Sequence, residues 1–162
     1  SAASDVYKRQ QSLPRRRILG DVSRTGFASR GSIRTEPVTR TDMERRPVVL
    51  VVEDEPVLRM MAVDMVEDAG FEALEAADAT QAIEILQSRL DIRIVFTDID
   101  MPQGMDGMRL AAAIRDRWPP IEIILTSGYA TPDADSLPAR SVFFPKPYVA
   151  EKVVEAMHRM AA

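Results

Sequence analysis

Val95-Phe96-Thr97-Asp98-Ile99-Asp100-Met101-Pro102 is a short apolar run with strand character that stops at two carboxylates one residue apart. Pro102 has no amide hydrogen and a fixed φ, so neither strand nor helix continues through it in the ordinary way. The stretch therefore displays an acid at a strand tip. Alone, such an acid reads as a turn or cap residue; its meaning depends on what the chain places beside it.

Upstream, Val48 to Val52 is a continuous apolar run, the mark of a strand covered on both faces, and it too ends in acids, Glu53-Asp54-Glu55. Pro56 suits a first helical position, and Leu58, Met61, Ala62, Met65 and Ala69 follow at helical spacing until Gly70 closes the segment. Phe71 to Ala76 is a weaker strand, and Asp78 is placed to cap a helix with Ile83, Leu86 and Leu90 inward. Downstream, Asp106-Gly107 introduces a helix with Leu110, Ala111, Ile114 and Trp118 inward, stopped by Pro119-Pro120. Ile121 to Leu125 reads as a fourth strand ending in Thr126-Ser127-Gly128. The two prolines between Tyr129 and Arg140 leave room for at most a short helix near Asp133 to Leu137. Ser141 to Phe144 is a fifth strand broken by Pro145-Lys146-Pro147, and Val149, Val153, Ala156, Met157 and Met160 give a last amphipathic helix.

Five alternating βα units predict an α/β fold, a parallel sheet with helices on both faces and right-handed crossovers. The first 46 residues are different material. They hold eleven Lys or Arg against five acids, +6, whereas residues 47–162 hold ten against twenty, −10. With thirteen apolar residues in 46 and no sustained periodicity, residues 1–46 are expected to be a disordered basic tail. Arg15-Arg16-Arg17 lacks a helical face and aromatic interleaving, which disfavours nucleic-acid or membrane binding. Asp5-Val6-Tyr7-Lys8-Arg9-Gln10 is what GAT-GTG-TAT-AAG-AGA-CAG encodes, a transposon-end adaptor of sequencing libraries. Residues 1–10 are therefore expected to be an assembly artefact, with Met43 a natural start.

The chain has no cysteine and a single histidine, His158, which excludes disulfides, thiolate metal sites and a zinc cluster. It shows neither a membrane-length apolar run nor a signal peptide, so a cytoplasmic protein is expected.

Parallel sheets of this kind bind ligands outside the carboxyl ends of their strands. There the sequence places Glu53 and Asp54, Asp98, Thr126 and Lys146, from strands one, three, four and five. Crowded carboxylates repel: a pair of unit charges about 4 Å apart interacts by about 4 kcal/mol at an effective dielectric near 20. An oxygen-only donor set favours a hard cation, and magnesium suits one or two carboxylates plus a phosphate. Such a cation would let an anionic Asp98 approach an anionic phosphoryl group, with Lys146 and Thr126 to hold it on arrival. Each residue has a plainer reading alone. The acids before Pro56 could serve the helix macrodipole, Thr126 is a common strand-end hydroxyl, His158 reads as solvated, and the methionines as core packing. Lys146 resists this, because a solvated lysine needs no setting between two prolines.

In combination and order, VVLVVEDEP, IVFTDIDMP with a following MDG, ILTSG and FFPKP make Val48 to Met160 resemble the receiver domain of two-component response regulators. The resemblance implies a flavodoxin-like, doubly wound five-stranded sheet ordered 2-1-3-4-5, spanning 47–162. It implies Asp98 as phosphoacceptor, Glu53 and Asp54 as the acidic pair of a Mg2+ site, and the Asp100 backbone carbonyl as a further ligand. Thr126 and Lys146 would contact the phosphoryl group, Phe143 would be the switch aromatic, and Lys146-Pro147 would be cis. The implied partner is a histidine kinase or histidine phosphotransfer protein, without direct nucleic-acid or membrane binding. Self-catalysed phosphorylation and autodephosphorylation are implied rather than turnover of a separate substrate.

The chain departs from the family pattern in four ways. Glu53 stands where aspartate is commonest, Gln103-Gly104-Met105 lengthens the loop after Pro102 by one residue, the segment between Thr126 and Lys146 is short, and Phe143 lacks a hydroxyl. Switching is accordingly expected to be read mainly by the last helix. With two alanines after Met160, a stand-alone receiver is expected; the alternatives are the terminal receiver of a hybrid kinase and a receiver-like module that is never phosphorylated. Asp98-Ile99-Asp100 also imitates the Asp-x-Asp of haloacid-dehalogenase-type phosphatases, but there the motif follows the first core strand rather than the third.

Overall fold

The computed structural model describes residues 45–129 and 131–162. The expected tail over 1–46, with residues 1–10 and the Arg15–Arg17 run, lies outside the described residues except for Arg45 and Arg46. The elements are β1 (Val48–Val52), α1 (Pro56–Asp68), β2 (Glu72–Ala76), α2 (Ala79–Ser88), β3 (Ile92–Asp98), α3 (Gly107–Arg117), β4 (Glu122–Ser127), a 3-10 turn (Ala134–Ser136), β5 (Ser141–Pro145) and α4 (Ala150–Ala161). All neighbouring strands are parallel, in the order β2-β1-β3-β4-β5.

The apolar runs of β1, β3 and β4 are central because they are apolar on both faces. Leu50, Val95, Ile123 and Leu125 join α2 and α3 residues such as Leu86, Leu110 and Ile114 in one cluster. Val49, Val51, Ile94 and Ile124 join Ala62 and Val66 of α1 and Val153 and Met157 of α4 in the other. Each fully buried aliphatic contributes roughly 1.5–3 kcal/mol, so these two layers dominate the stability of the sheet. Caps fall where expected: the side chains of Asp78 and Asp106 accept from Gln81 N and Arg109 N, both at 2.8 Å.

Three packing expectations need correction. The inward stripe of α1 is Arg59, Ala62, Val63, Met65 and Val66, with Ala69 just beyond the helix also packed inward as expected, whereas Leu58 and Met61 are 42% and 60% exposed. Arg59 reaches back to the Glu53 carbonyl (2.9 Å) and the Glu75 carboxylate (3.1 Å), long-range bonds that fix the helix's rotation. Met60 and Met61 are therefore surface residues, although Met157 is core as expected. Leu90 is 90% exposed, because the chain turns extended at Arg89, which pairs with Asp91 and Glu72.

The connection after β4 carries one 3-10 turn where a full helix would complete a fifth unit, in keeping with the short helix expected near Asp133 to Leu137. Its far end is held by Arg115 of α3, whose guanidinium donates to the carbonyls of Ala139 (2.6 Å), Ile121 (2.8 Å), Arg140 (3.4 Å) and Pro119. Arg140, at φ 58°, pairs with Glu122. Lys146-Pro147 is cis.

Candidate functional site

The strand tips bring the predicted acids together. Glu53 follows β1, its carbonyl holding Arg59 and its amide bonded to Ala76 O (3.1 Å); Asp98 ends β3 directly opposite Thr126 of β4. One carboxylate oxygen from each of Glu53, Asp54 and Asp98 lies within 4.8 Å of the others. Glu53 and Asp98 are buried, each 6% exposed, while Asp54 faces solvent. Buried acids demand a counter-charge. Lys146 supplies it from the end of β5: Nζ is 3.0 Å from Glu53 Oε2 and 3.0 Å from Asp98 Oδ2. The Lys146 amide also bonds Ser127 O (2.8 Å), fixing the base of its side chain to β4.

The electrostatics follow from that sharing. Burial pulls the Lys146 ammonium down, but its hydrogen bonds to Glu53 and Asp98 outweigh burial, leaving it above the usual lysine value. Burial pushes the Glu53 carboxyl up; the bond to Lys146 opposes this, and the nearby Asp98 charge adds to it. The two directions agree: one cation divided between two carboxylates is well satisfied, whereas Glu53 receives only part of a counter-charge. The set has three carboxylates, no nitrogen or sulfur donor and one open, solvent-facing member, so it fits a hard divalent cation such as magnesium.

Asp100 takes a different position from the other acids. Its backbone N–H donates to Asp98 Oδ1 (3.2 Å), and its carboxylate accepts bonds from the segment after β4. Thr126 is 2% exposed beside Asp98, and Phe143 is half-buried, opposite Leu125. Glu53, Asp54, Leu58, Asp98, Gly128, Tyr129 and Lys146 are among the residues around an open basin of about 940 Å³.

Sequence reasoning missed two residues here. Tyr148 lies with Thr126, Asp98 and Glu53 around a small cavity of about 10 Å³, its ring edge-on to Phe96 at 5.7 Å and its hydroxyl pushed up in pKa by burial. Its place immediately after Pro147 was the available signal. The other is Arg59, whose position six residues past Glu53 gives no hint that it returns to that carbonyl.

Residues 49–157 match the family model "Response regulator receiver domain". The sensor kinase CckA of Brucella abortus is 36% identical over 124 residues, 74% of this chain but 13% of the kinase. The chemotaxis protein CheY of Listeria monocytogenes is 31% identical over 119 residues, covering 70% of this chain and 97% of CheY. Among solved structures, a response regulator receiver protein from Sinorhizobium medicae superposes with a TM-score of 0.66 at 28% identity, covering 73% of this chain and 95% of that one. No described helix is long and apolar enough to cross a membrane. With the strand order, the acidic strand tips and these likenesses in agreement, the chain belongs to the response regulator receiver family, whose members act in two-component phosphorelay signalling.

Proposed function

We propose that residues 47–162 form a cytoplasmic receiver domain that takes a phosphoryl group from a phosphohistidine of a histidine kinase or phosphotransfer protein onto Asp98, and so changes partner binding. The observation that supports this best is Lys146 Nζ at 3.0 Å from both Glu53 and the Asp98 carboxylate. It gives the buried nucleophile a counter-charge and places a cation where phosphoryl charge arrives. An Asp98 oxygen attacks phosphorus as the phosphorus–nitrogen bond to the donor imidazole breaks, and the electron pair leaves with that ring. Thr126 donates to a phosphoryl oxygen and Lys146 pairs with another. Phe143 adjusts as Thr126 is drawn toward the new group. Magnesium, held by the carboxylates of Glu53, Asp54 and Asp98 and the Asp100 carbonyl, would supply charge neutralisation between nucleophile and phosphoryl oxygens. The test is intact mass after incubation with a small acyl phosphate, with and without Mg2+. Addition of one phosphoryl group only with Mg2+ is expected, and no adduct overturns the reading.

Two further outcomes follow from the same site. Magnesium at about one hundred times its Kd is expected to stabilise the fold by about 2.7 kcal/mol, and Asp54→Asn to remove most of that gain in a thermal melt. Asp54 is exposed, so the variant keeps its fold.

The donor's docking surface is expected beside Lys146, where Leu58, Met61, Met65, Pro147 and Ala150 are among the residues lining a groove of about 520 Å³. Met61→Glu is expected to lower transfer from a kinase that phosphorylates the wild type by about tenfold or more, with phosphorylation by a small acyl phosphate changed far less.

The likeness to CckA favours one other reading, that this is the receiver of a hybrid kinase. A kinase catalytic region in the same genomic reading frame would establish it.

A further inference from the structure

The Asp100 carboxylate sits at the site yet is committed elsewhere. Its Oδ2 accepts from Ser127 Oγ (2.7 Å), Gly128 N (2.9 Å) and Tyr129 N (3.4 Å), the last also donating to Ser127 Oγ at 3.2 Å. The same residue's N–H donates to Asp98 Oδ1 at 3.2 Å. One residue thus grips the acceptor carboxylate with its backbone and the start of the β4–β5 connection with its side chain.

That connection needs an anchor. Among the described residues the first helical turn after β4 begins at Ala134, and Gly128 and Tyr129 are not helical, so no helix fixes the backbone that directly follows Thr126. Gly128, Tyr129 and Asp100 also border the basin that holds Asp98 and Lys146, and so form part of its wall. Thr126 is already tied on the other side, its carbonyl accepting from Ile99 N at 2.8 Å. Bonds from Ile99 and Asp100 therefore bracket Thr126 and Ser127 from the β3 side.

We propose that Asp100 is a positioning residue, a latch whose carboxylate oxygen holds the Ser127–Tyr129 wall against the β3–α3 loop and thereby aligns Thr126 with a phosphoryl group on Asp98. The proposal rests on the reading of Asp98 as phosphoacceptor. All three donors converge on a single oxygen, so the latch requires an acceptor atom at that point rather than a negative charge. Asparagine can place a carbonyl oxygen with two lone pairs there, and alanine cannot. The carboxylate strengthens the bonds by its charge, but the geometry alone carries the alignment.

Two measurements on the full chain test this with Asp100→Ala and Asp100→Asn. The first is amide hydrogen exchange of metal-free, unphosphorylated protein, and the second is the rate of adduct formation with a small acyl phosphate and Mg2+. In Asp100→Ala, exchange at Gly128, whose amide donates to the carboxylate at 2.9 Å, is expected to rise about tenfold while amides of β1 and β3 stay protected. Adduct formation is expected to slow about tenfold, since sub-ångström alignment governs group transfer. Asp100→Asn is expected to restore both.

Unchanged exchange at Gly128 in Asp100→Ala overturns the latch. So does an Asp100→Asn variant as slow as Asp100→Ala with a matching loss of Mg2+ affinity, which would make the carboxylate's charge its role. Exchange raised across the whole sheet would mark a general structural role and overturn it equally. If wild type takes up no phosphoryl group, the reading of Asp98 fails separately, and protection lost in the alanine variant and kept in the asparagine variant still supports the latch.

Discussion

Asp98→Ala is expected to abolish the phosphoryl adduct completely, with no slow residual product, because the substitution removes the nucleophilic oxygen itself. Lys146→Met provides the contrast. It leaves the nucleophile but removes the cation 3.0 Å away, so a residual rate about 10²-fold down is expected. Intact-mass time courses separate the two. Loss of Asp98 should not harm the fold at neutral pH. Burial, with the Asp98 charge adding to it, raises the Glu53 pKa above its ordinary 4.5, so ionising Glu53 opposes folding. Removing Asp98 lowers the Glu53 pKa and lets Lys146 serve one acid. Asp98→Ala is therefore expected to melt no lower than wild type at pH 7. That benefit fades below about pH 4.5, where Glu53 is protonated in both states. A lower melting point at pH 7 than at pH 4, relative to wild type, would contradict this assignment of charges.

Gly107→Ala is expected to have the second-largest effect, and it acts through shape. A Cβ on Gly107 would lie 2.1 Å from the Asp98 carbonyl oxygen, 2.8 Å from its carbon and 2.8 Å from Ile99 Cα. All three are backbone atoms at the acceptor, so no rotamer change relieves the overlap. Either α3 withdraws, breaking the bond from Gly107 N to Ile99 O (3.1 Å), or the acceptor moves. A loss of roughly 1–3 kcal/mol in denaturant unfolding is expected, together with adduct formation slowed about 10²-fold. Stability reduced with an unaltered phosphorylation rate would show that the helix gives way and the acceptor does not.

The contrast between these residues shows what a linear reading can reach. Strand tips were legible because apolar runs end abruptly at Glu53, Asp98, Thr126 and Lys146, and a parallel sheet gathers such ends on one rim. The rotation of α1 was not, because it depends on Arg59 finding Glu53 and Glu75 across a crossover. Leu58 and Met61 consequently looked like core residues and are surface ones. Asp100 enters through the family resemblance, by its backbone carbonyl, but its side-chain partners lie in the Ser127–Tyr129 segment, a separation that carries no local pattern. Tyr148 was hidden for the same reason, since its neighbours come from β1, β3 and β4.

The Arg115 clamp has a consequence for how the molecule responds to its medium. Its acceptors are peptide carbonyls, which neither gain a proton in acid nor attract competing counter-ions as carboxylates do. The pairs made by Arg89 with Glu72 and Asp91, near the β2 edge, are exposed carboxylate pairs and weaken in concentrated salt. The two tethers, Arg115 beside β5 and Arg89 beside β2, therefore differ in their sensitivity to salt. Brine slackens the Arg89 pairs beside β2, while the Arg115 tether beside β5 keeps its grip.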